Sequence, residues 1–241
     1  MPRLPWLDEN LVQFPPPQQA LDDPNGLLAA GGNLSPTTLL NAYSQGIFPW
    51  FSEGEPILWW SPAPRCVLFP GDLHISRSLH KTLRRHPYQL SMDRAFPTVM
   101  QECAGPRNYT DQTWINSQMQ DAYSELHRQG YAHSVECWQQ GELVGGLYGV
   151  AIDRVFFGES MFSRAPNASK IALVHLCGQL QKQGYQLIDC QVESPHLRSL
   201  GSTTMDRHSF CDLLDKFAKL PPAGAELSRP LPWKLDWNYD G

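Results

Sequence analysis

The sequence predicts an α+β fold with a mixed, largely antiparallel sheet flanked by helices. Three observations predict it. Residues 132–162 read as an antiparallel meander, because "HSVECW", "ELVGGLYGVAI" and "RVFFGESMF" are strand-like and are separated by "QQG" and "DR" turns. "NASKIALVHLCGQLQKQG" then reads as a helix, and "YQLIDCQVE" as another strand. Strands followed by a helix and a strand belong to a layered α+β arrangement.

The elements follow in order along the chain. The start is rich in Pro and Gly and leads into a short helix, "SPTTLLNAYSQG". Ser35 suits its N-cap, Pro36 its first position and Gly46 its C-terminal cap. Trp50, Trp59 and Trp60 then lie close together, and Pro62 and Pro64 mark a boundary. "HISRSLHKTLRRH", read at 3.6 residues per turn, puts Arg77, Lys81, Arg84 and Arg85 on one side. Ile75, Leu79 and Leu83 fall opposite. A second amphipathic helix is expected over 115–129, ending at Gly130. The helix after the meander is capped by Asn167 or Ser169 and closed by Gly184. The Pro-rich tail from Lys219 onward reads as extended chain on the surface.

Composition limits what such a fold does. With 241 residues and 41% hydrophobic content the chain builds a real core. A net charge of −5 argues against indiscriminate coating of nucleic acid, although the local basic stripe stands out against it. The six cysteines are scattered and form no C-x-x-C pair, so free thiols are expected. The eight histidines show no H-E-x-x-H, and no metal is expected. There is neither a bilayer-length apolar run nor a signal-peptide core, so a cytoplasmic location is expected.

Two polar features interrupt the apolar pattern. Glu159 sits inside "FFGESMF", where a bare carboxylate is costly unless it is paired or hydrogen-bonded. In "LIDCQV", alternation puts Asp189 and Gln191 on one face of the strand and Ile188, Cys190 and Val192 on the other. The glycines of "GGLYG" and "FFGES" mark a close approach or a bulge.

The segments "GIFPWF", "ILWWSP", "LHISRSL", "ELVGGLYGV", "FFGESMFSR", "NASK" and "LIDCQV", in that order, resemble the bacterial leucyl/phenylalanyl-tRNA–protein transferase family. The resemblance runs from about residue 24 to about residue 201. It implies a small N-terminal domain, 1–63, and a larger acetyltransferase-type (GNAT-like) domain, 64–241. It implies transfer of Leu or Phe, and less efficiently Met, from aminoacyl-tRNA to the N-terminal Arg or Lys α-amine of acceptor proteins, which marks them for degradation. The implied partners are leucyl-tRNA, phenylalanyl-tRNA and those acceptors, with no dissociable cofactor; apart from the resemblance, no membrane partner and a monomer are expected.

Residue roles are carried over by position. The resemblance implies that Asp189 and Gln191 orient the attacking amine and that Gln191 draws off its proton; because a neutral amide is a poor base, Gln191 is expected instead to accept a hydrogen bond that aims the lone pair, with Asp189 polarising and fixing it. Glu159 is read from its own setting, not from the family: a carboxylate at the rim of an apolar pocket is expected to hold one of the acceptor's cations, the alternative being a buried acid that serves only its local strands. Leu147, Phe156, Leu173, Leu176 and Ile188 line the side-chain pocket; as plain sequence, all five are also ordinary core residues. Trp50 and Trp114 stack on the terminal adenosine, assisted by Tyr43 and Tyr123. Arg77, Lys81, Arg84 and Arg85 grip acceptor-stem phosphates. Three other readings fit less well. An acyl-CoA N-acetyltransferase needs a glycine-rich pyrophosphate turn that "RAPNASK" lacks, a peptidoglycan bridge transferase matches fewer motifs, and an inert RNA-binding module leaves the acid and amide unexplained. "GESMF" also lacks the second Gly of a serine-hydrolase elbow.

Overall fold

The computed structural model describes residues 4–105, 115–220 and 233–239. Two sheets carry the fold. The smaller has strands β1 (Trp6–Leu7), β2 (Leu27–Gly31), β3 (Phe48–Pro49) and β4 (Leu58–Trp60) in the order β1-β2-β4-β3. Helix α1 (Pro36–Ser44) lies between β2 and β3, and the Ser35 side chain caps it by accepting from the Thr38 N–H. Gly46 follows at φ +77°, the left-handed conformation that ends a helix cheaply only at glycine.

The larger sheet takes in β5 (Arg65–Leu68), β6 (Gln89–Met92), β7 (Ala132–Gln139), β8 (Glu142–Ile152), β9 (Val155–Ser163), β10 (Leu187–Gln191) and β11 (Thr203–Met205). Its order is β11-β5-β10-β9-β8-β7-β6. All its pairings are antiparallel except β9 with β10, so the α+β sheet is mixed and largely antiparallel. The other helices are α2 (Arg77–Leu83), α3 (Phe96–Ala104), α4 (Ser117–Arg128), α5 (Ala168–Lys182), α6 (Pro195–Ser199) and α7 (Arg207–Phe217). The meander forms as β7–β8–β9, with Gln140 and Gly141 both at positive φ in its first turn. The parallel β9–β10 pair is joined by α5, as a parallel connection requires.

Alternation sorts the core onto two faces of this sheet. Leu147, Ala151, Phe156 and Ile188 join one cluster with α2 and α5. Tyr148, Val150, Phe157 and Leu187 join the other, with α1, α3, α4, α7 and the smaller sheet. Glu159 follows Phe157 by two residues and so points toward α1 and α4. The β8–β9 register slips between Tyr148 and Gly149, and a Cβ at Gly149 would lie 2.2 Å from the Phe157 carbonyl oxygen. The glycine there is required by a bulge.

Some expectations change. The basic helix is shorter than its pattern, because Ser76 caps it at Arg77 and His86 leaves it at φ 44°. Asn167 takes the N-cap position of α5 but makes no capping bond, sitting instead at φ 63°. Helix α7, capped by Asp206, has no counterpart in the expected elements. Residues 233–239 are extended as expected, yet they do not lie loosely on the surface. Trp233 is buried and stacks on His133 at 4.1 Å. Gln179 Oε1 accepts the Asp236 and Trp237 N–H groups at 3.1 Å each, and Trp237 covers Gly178. A Cβ at Gly178 would come within 2.2 Å of that indole. Gly178→Ala is therefore expected to lower stability by about 1–3 kcal/mol through overpacking, read as a drop in thermal midpoint; an unchanged midpoint would mean the indole is free to step aside.

Candidate active site

A cavity of about 1030 Å³ opens between the smaller sheet, β9, α5 and β10. Leu147, Phe156, Leu173, Leu176 and Ile188 all line it, joined by Met161 and by Phe48 from the smaller sheet. One wall is therefore apolar and built on rigid elements. Glu159 and Gln191 line the same cavity.

Glu159 is held by three donors. Tyr43 donates to Oε1 at 2.7 Å, Gln191 Nε2 donates to Oε1 at 2.9 Å, and Tyr123 donates to Oε2 at 3.2 Å. The two phenol oxygens also touch each other. Burial pushes the Glu159 carboxyl up to about 7, against the pull of these hydrogen bonds. Burial, then the charge of Glu159, drives both tyrosines well above their ordinary value, so they stay protonated and remain donors. The contact also fixes the Gln191 amide: only its NH₂ can face a carboxylate, which leaves Oε1 as an acceptor.

Tyr43 and Tyr123 need correction as adenosine platforms. Each is 0% exposed, and their rings pack against Phe157 and Tyr148. No ring face is left for a base, and what they offer the site is hydroxyl groups. Trp50 is different: it lines the cavity and is 46% exposed, tilted against Trp60 at 5.4 Å. Trp114 lies outside the described residues.

The simple alternation is interrupted just after Asp189. The β10–β5 register shifts between Asp189 and Gln191, and Gln191 sits at φ 62°. Asp189 is fully buried and forms a two-point ion pair with Arg65, Nε to Oδ1 at 2.8 Å and Nη2 to Oδ2 at 2.7 Å. It reaches Gln191 only through the backbone, where Oδ1 accepts the Gln191 N–H at 2.9 Å. It does not touch the amide side chain. Arg65 is thus the residue the sequence reading missed. The signal was there: it is a lone charge opening an apolar strand, "RCVLFP", as Glu159 is a lone charge in the middle of one.

The four basic residues Arg77, Lys81, Arg84 and Arg85 are exposed and line a shallow hollow with His80, while Leu79 and Leu83 pack inward. None of the four forms an ion pair among the described residues. Among the described residues no His/Cys/Asp/Glu group could hold a metal ion, and no helix is long and apolar enough to cross a membrane.

Comparison with known proteins places this geometry. The family description "Leucyl/phenylalanyl-tRNA protein transferase" matches residues 67–215, and that of its N-terminal domain matches residues 32–63. A leucyl/phenylalanyl-tRNA–protein transferase from Nitrosomonas eutropha is 59% identical over 94% of each chain. One from Pseudomonas fluorescens is 56% identical over 90% of this chain and 96% of that one. Among solved structures, the C-terminal domain of a putative lysylphosphatidylglycerol synthetase from Agrobacterium fabrum covers 80% of this chain and 61% of that one at 13% identity, with a TM-score of 0.40. A likeness that slight does not assign the larger sheet to the acetyltransferase class. The family descriptions together span most of the chain, and relatives above half identity match nearly end to end, so the chain belongs to the leucyl/phenylalanyl-tRNA–protein transferase family of enzymes.

Proposed function

We propose that this transferase moves Leu or Phe, and less efficiently Met, from aminoacyl-tRNA to the α-amine of proteins beginning with Arg or Lys, and that the added residue marks them for degradation. The observation that carries this is the pairing of an apolar cavity with a carboxylate that three donors hold on its wall. A Leu or Phe side chain suits the wall of Leu147, Phe156, Leu173, Leu176 and Ile188. An acceptor that begins with Arg or Lys brings two cations, its α-ammonium and its side chain, and Glu159 binds one of them. The division at residues 63 and 64 falls between the two sheets. The parallel β9–β10 pair with its α5 crossover supports reading the larger one as acetyltransferase-like.

The chemistry asks little beyond placement. An aminoacyl ester is already activated. The acceptor amine, with an ordinary pKa of about 7.7–8.0, is roughly a tenth neutral at pH 7. Its nitrogen attacks the ester carbonyl carbon; a C–N bond forms and the bond to the ribose oxygen breaks. The ribose oxygen leaves as a hydroxyl, taking one amine proton. Gln191 Oε1 accepts an N–H of the amine and aims its lone pair, while Nε2 stays on Glu159. An amide oxygen is too weak a base to do more.

Labelled leucyl-tRNA incubated with a peptide beginning with Arg, beside the same peptide beginning with Ala, tests the proposal. Label is expected only in the first; equal labelling of both would refute the acceptor rule.

The RNA contacts lead to two further expectations. Trp50→Ala removes the exposed indole at the cavity mouth and is expected to weaken aminoacyl-tRNA binding by about 1–3 kcal/mol, the range for a stacked base. Measured dissociation constants should rise accordingly while the folded state is unaffected. Neutralising Arg77, Lys81, Arg84 and Arg85 together is expected to weaken all aminoacyl-tRNAs alike and to flatten the dependence of log K on log salt by roughly one per charge removed. An unchanged slope would mean these side chains stay in solvent.

A further inference from the structure

We propose that Arg65 is a positioning residue for aminoacyl transfer, acting through Asp189 to hold Gln191 in the one backbone conformation that puts its amide on Glu159. The inference rests on the function proposed above. Arg65 does not line the cavity, yet it begins a short chain of bonds that ends there. Its guanidinium binds both oxygens of Asp189, at 2.8 and 2.7 Å. Oδ1 of the same carboxylate takes the Gln191 N–H at 2.9 Å. That bond spans the register shift at the end of β10, where Gln191 adopts φ 62°, a left-handed conformation that L residues adopt only when their surroundings impose it. From that backbone the Gln191 side chain reaches Glu159 at 2.9 Å.

The way Arg65 is buried argues for placement over stability. The residue is 1% exposed, and its third nitrogen, Nη1, is buried with no hydrogen-bond partner among the described residues. A buried ion pair with an unsatisfied nitrogen is poor stabilisation, and apolar residues of similar volume commonly serve as well or better. What apolar residues cannot supply is two-point geometry. A planar guanidinium fixes the carboxylate in orientation as well as position. The carboxylate in turn fixes the Gln191 N–H. Rings from two other parts of the fold hold the guanidinium itself: Phe48 of β3 at 4.9 Å and Phe210 of α7 at 4.7 Å. Phe48 also lines the cavity, two residues before Trp50. One buried cation therefore ties the orientation of Gln191 to the strand that carries the exposed indole.

This arrangement assigns Asp189 a different part from that of a group acting on the amide. Both its oxygens are engaged by Arg65, and its contact with Gln191 is to the backbone N–H. Asp189 shapes the chain and leaves the chemistry to the side chains beyond it.

The test uses the double variant Arg65→Met/Asp189→Leu, which removes both charges together and so leaves no unpaired ion to unfold the protein. Single-turnover transfer of labelled leucyl-tRNA to a peptide beginning with Arg is measured alongside tRNA affinity and the thermal midpoint. The rate is expected to fall on the order of 100-fold, the scale of a misplaced reacting group, with tRNA affinity retained. The deciding measurement is the same pair of substitutions in a Gln191→Ala background. If Arg65 acts through Gln191, the rate there should fall no further. A full additional loss in that background, or a wild-type rate in the folded double variant, overturns the proposal. Arg65→Lys, which keeps the charge but loses the fork, gives a milder version of the same cycle should the double variant be unstable, and additivity there overturns it equally. Wild-type protein that does not label the Arg peptide at all would refute the transfer reading. Gln191→Ala at the wild-type rate would remove Gln191 from the mechanism, and with it the basis for Arg65.

Discussion

Asp189→Ala is expected to cost about 3–5 kcal/mol of folding stability, the largest loss expected from any single substitution in the site. The reason is what it leaves behind. Arg65 is buried between the Phe48 and Phe210 rings, and Asp189 is its ion-pair partner. Without the carboxylate, a guanidinium stays in an apolar setting with no counter-charge, and the Gln191 N–H loses its acceptor. A domain has only about 5–15 kcal/mol to lose. Asp189→Asn should be milder, because one amide oxygen can still accept from Arg65 or Gln191, but its NH₂ faces a guanidinium that can only donate. Urea unfolding of the three proteins measures the order. A wild-type midpoint for Asp189→Ala would mean that water reaches Arg65. For the same reason, activity of Asp189 variants has to be read well below their own melting temperatures, or an unfolded fraction will pass for a lost catalytic group.

The sequence exposed features that repeat or stop locally. Ser35, Pro36 and Gly46 bracket α1 because capping is a matter of a few neighbouring residues. The β7–β8–β9 meander was legible from alternation and turns. Glu159 was legible as an anomaly, since a carboxylate between Phe and Met needs partners whatever the fold. Its partners were not legible: Tyr43 is 116 residues away and Gln191 is 32. Tyr43 and Tyr123 look, as sequence, like any aromatic near a binding loop, and only tertiary burial turns them from ring platforms into hydroxyl donors. Asp189 shows the limit of strand periodicity. Alternation puts it beside Gln191, but the register shift between the two interrupts the count at Gln191, and the carboxylate's partner, Arg65, lies 124 residues earlier in the chain. The pocket residues were reached by resemblance, because a pocket wall and a core are written in the same apolar letters.

Glu159→Gln is expected to weaken acceptor binding by about 10- to 100-fold, the worth of roughly 1.5–3 kcal/mol for a hydrogen bond to a charged group, while aminoacyl-tRNA binding survives. The substitution preserves the network. An amide oxygen at the Oε1 position still accepts from Tyr43 and Gln191, and its NH₂ can donate to Tyr123, whose hydroxyl both gives and receives. What disappears is the negative charge, and pH dependence isolates it. The folded carboxyl titrates at about 7, above its ordinary value of 4.5. Between those values the folded protein keeps a proton that the unfolded chain has released, so stability falls as pH rises from about 4.5 to about 7 and is level beyond. Removing the ionisable group removes that slope, and the Gln variant should be the more stable protein above pH 7. Activity runs the opposite way. Carboxylate is the form that holds a cation, so wild-type kcat/KM for the Arg peptide should rise through pH 7, in addition to the rise near 7.7–8.0 from the acceptor amine itself. The Gln variant should keep only the amine's rise. Because a bound cation favours the carboxylate, the wild-type inflection in kcat should fall below the one in kcat/KM. Superimposable pH profiles for wild type and Glu159→Gln would mean that the acceptor's charge is met by some other group and that Glu159 serves only the tyrosines around it.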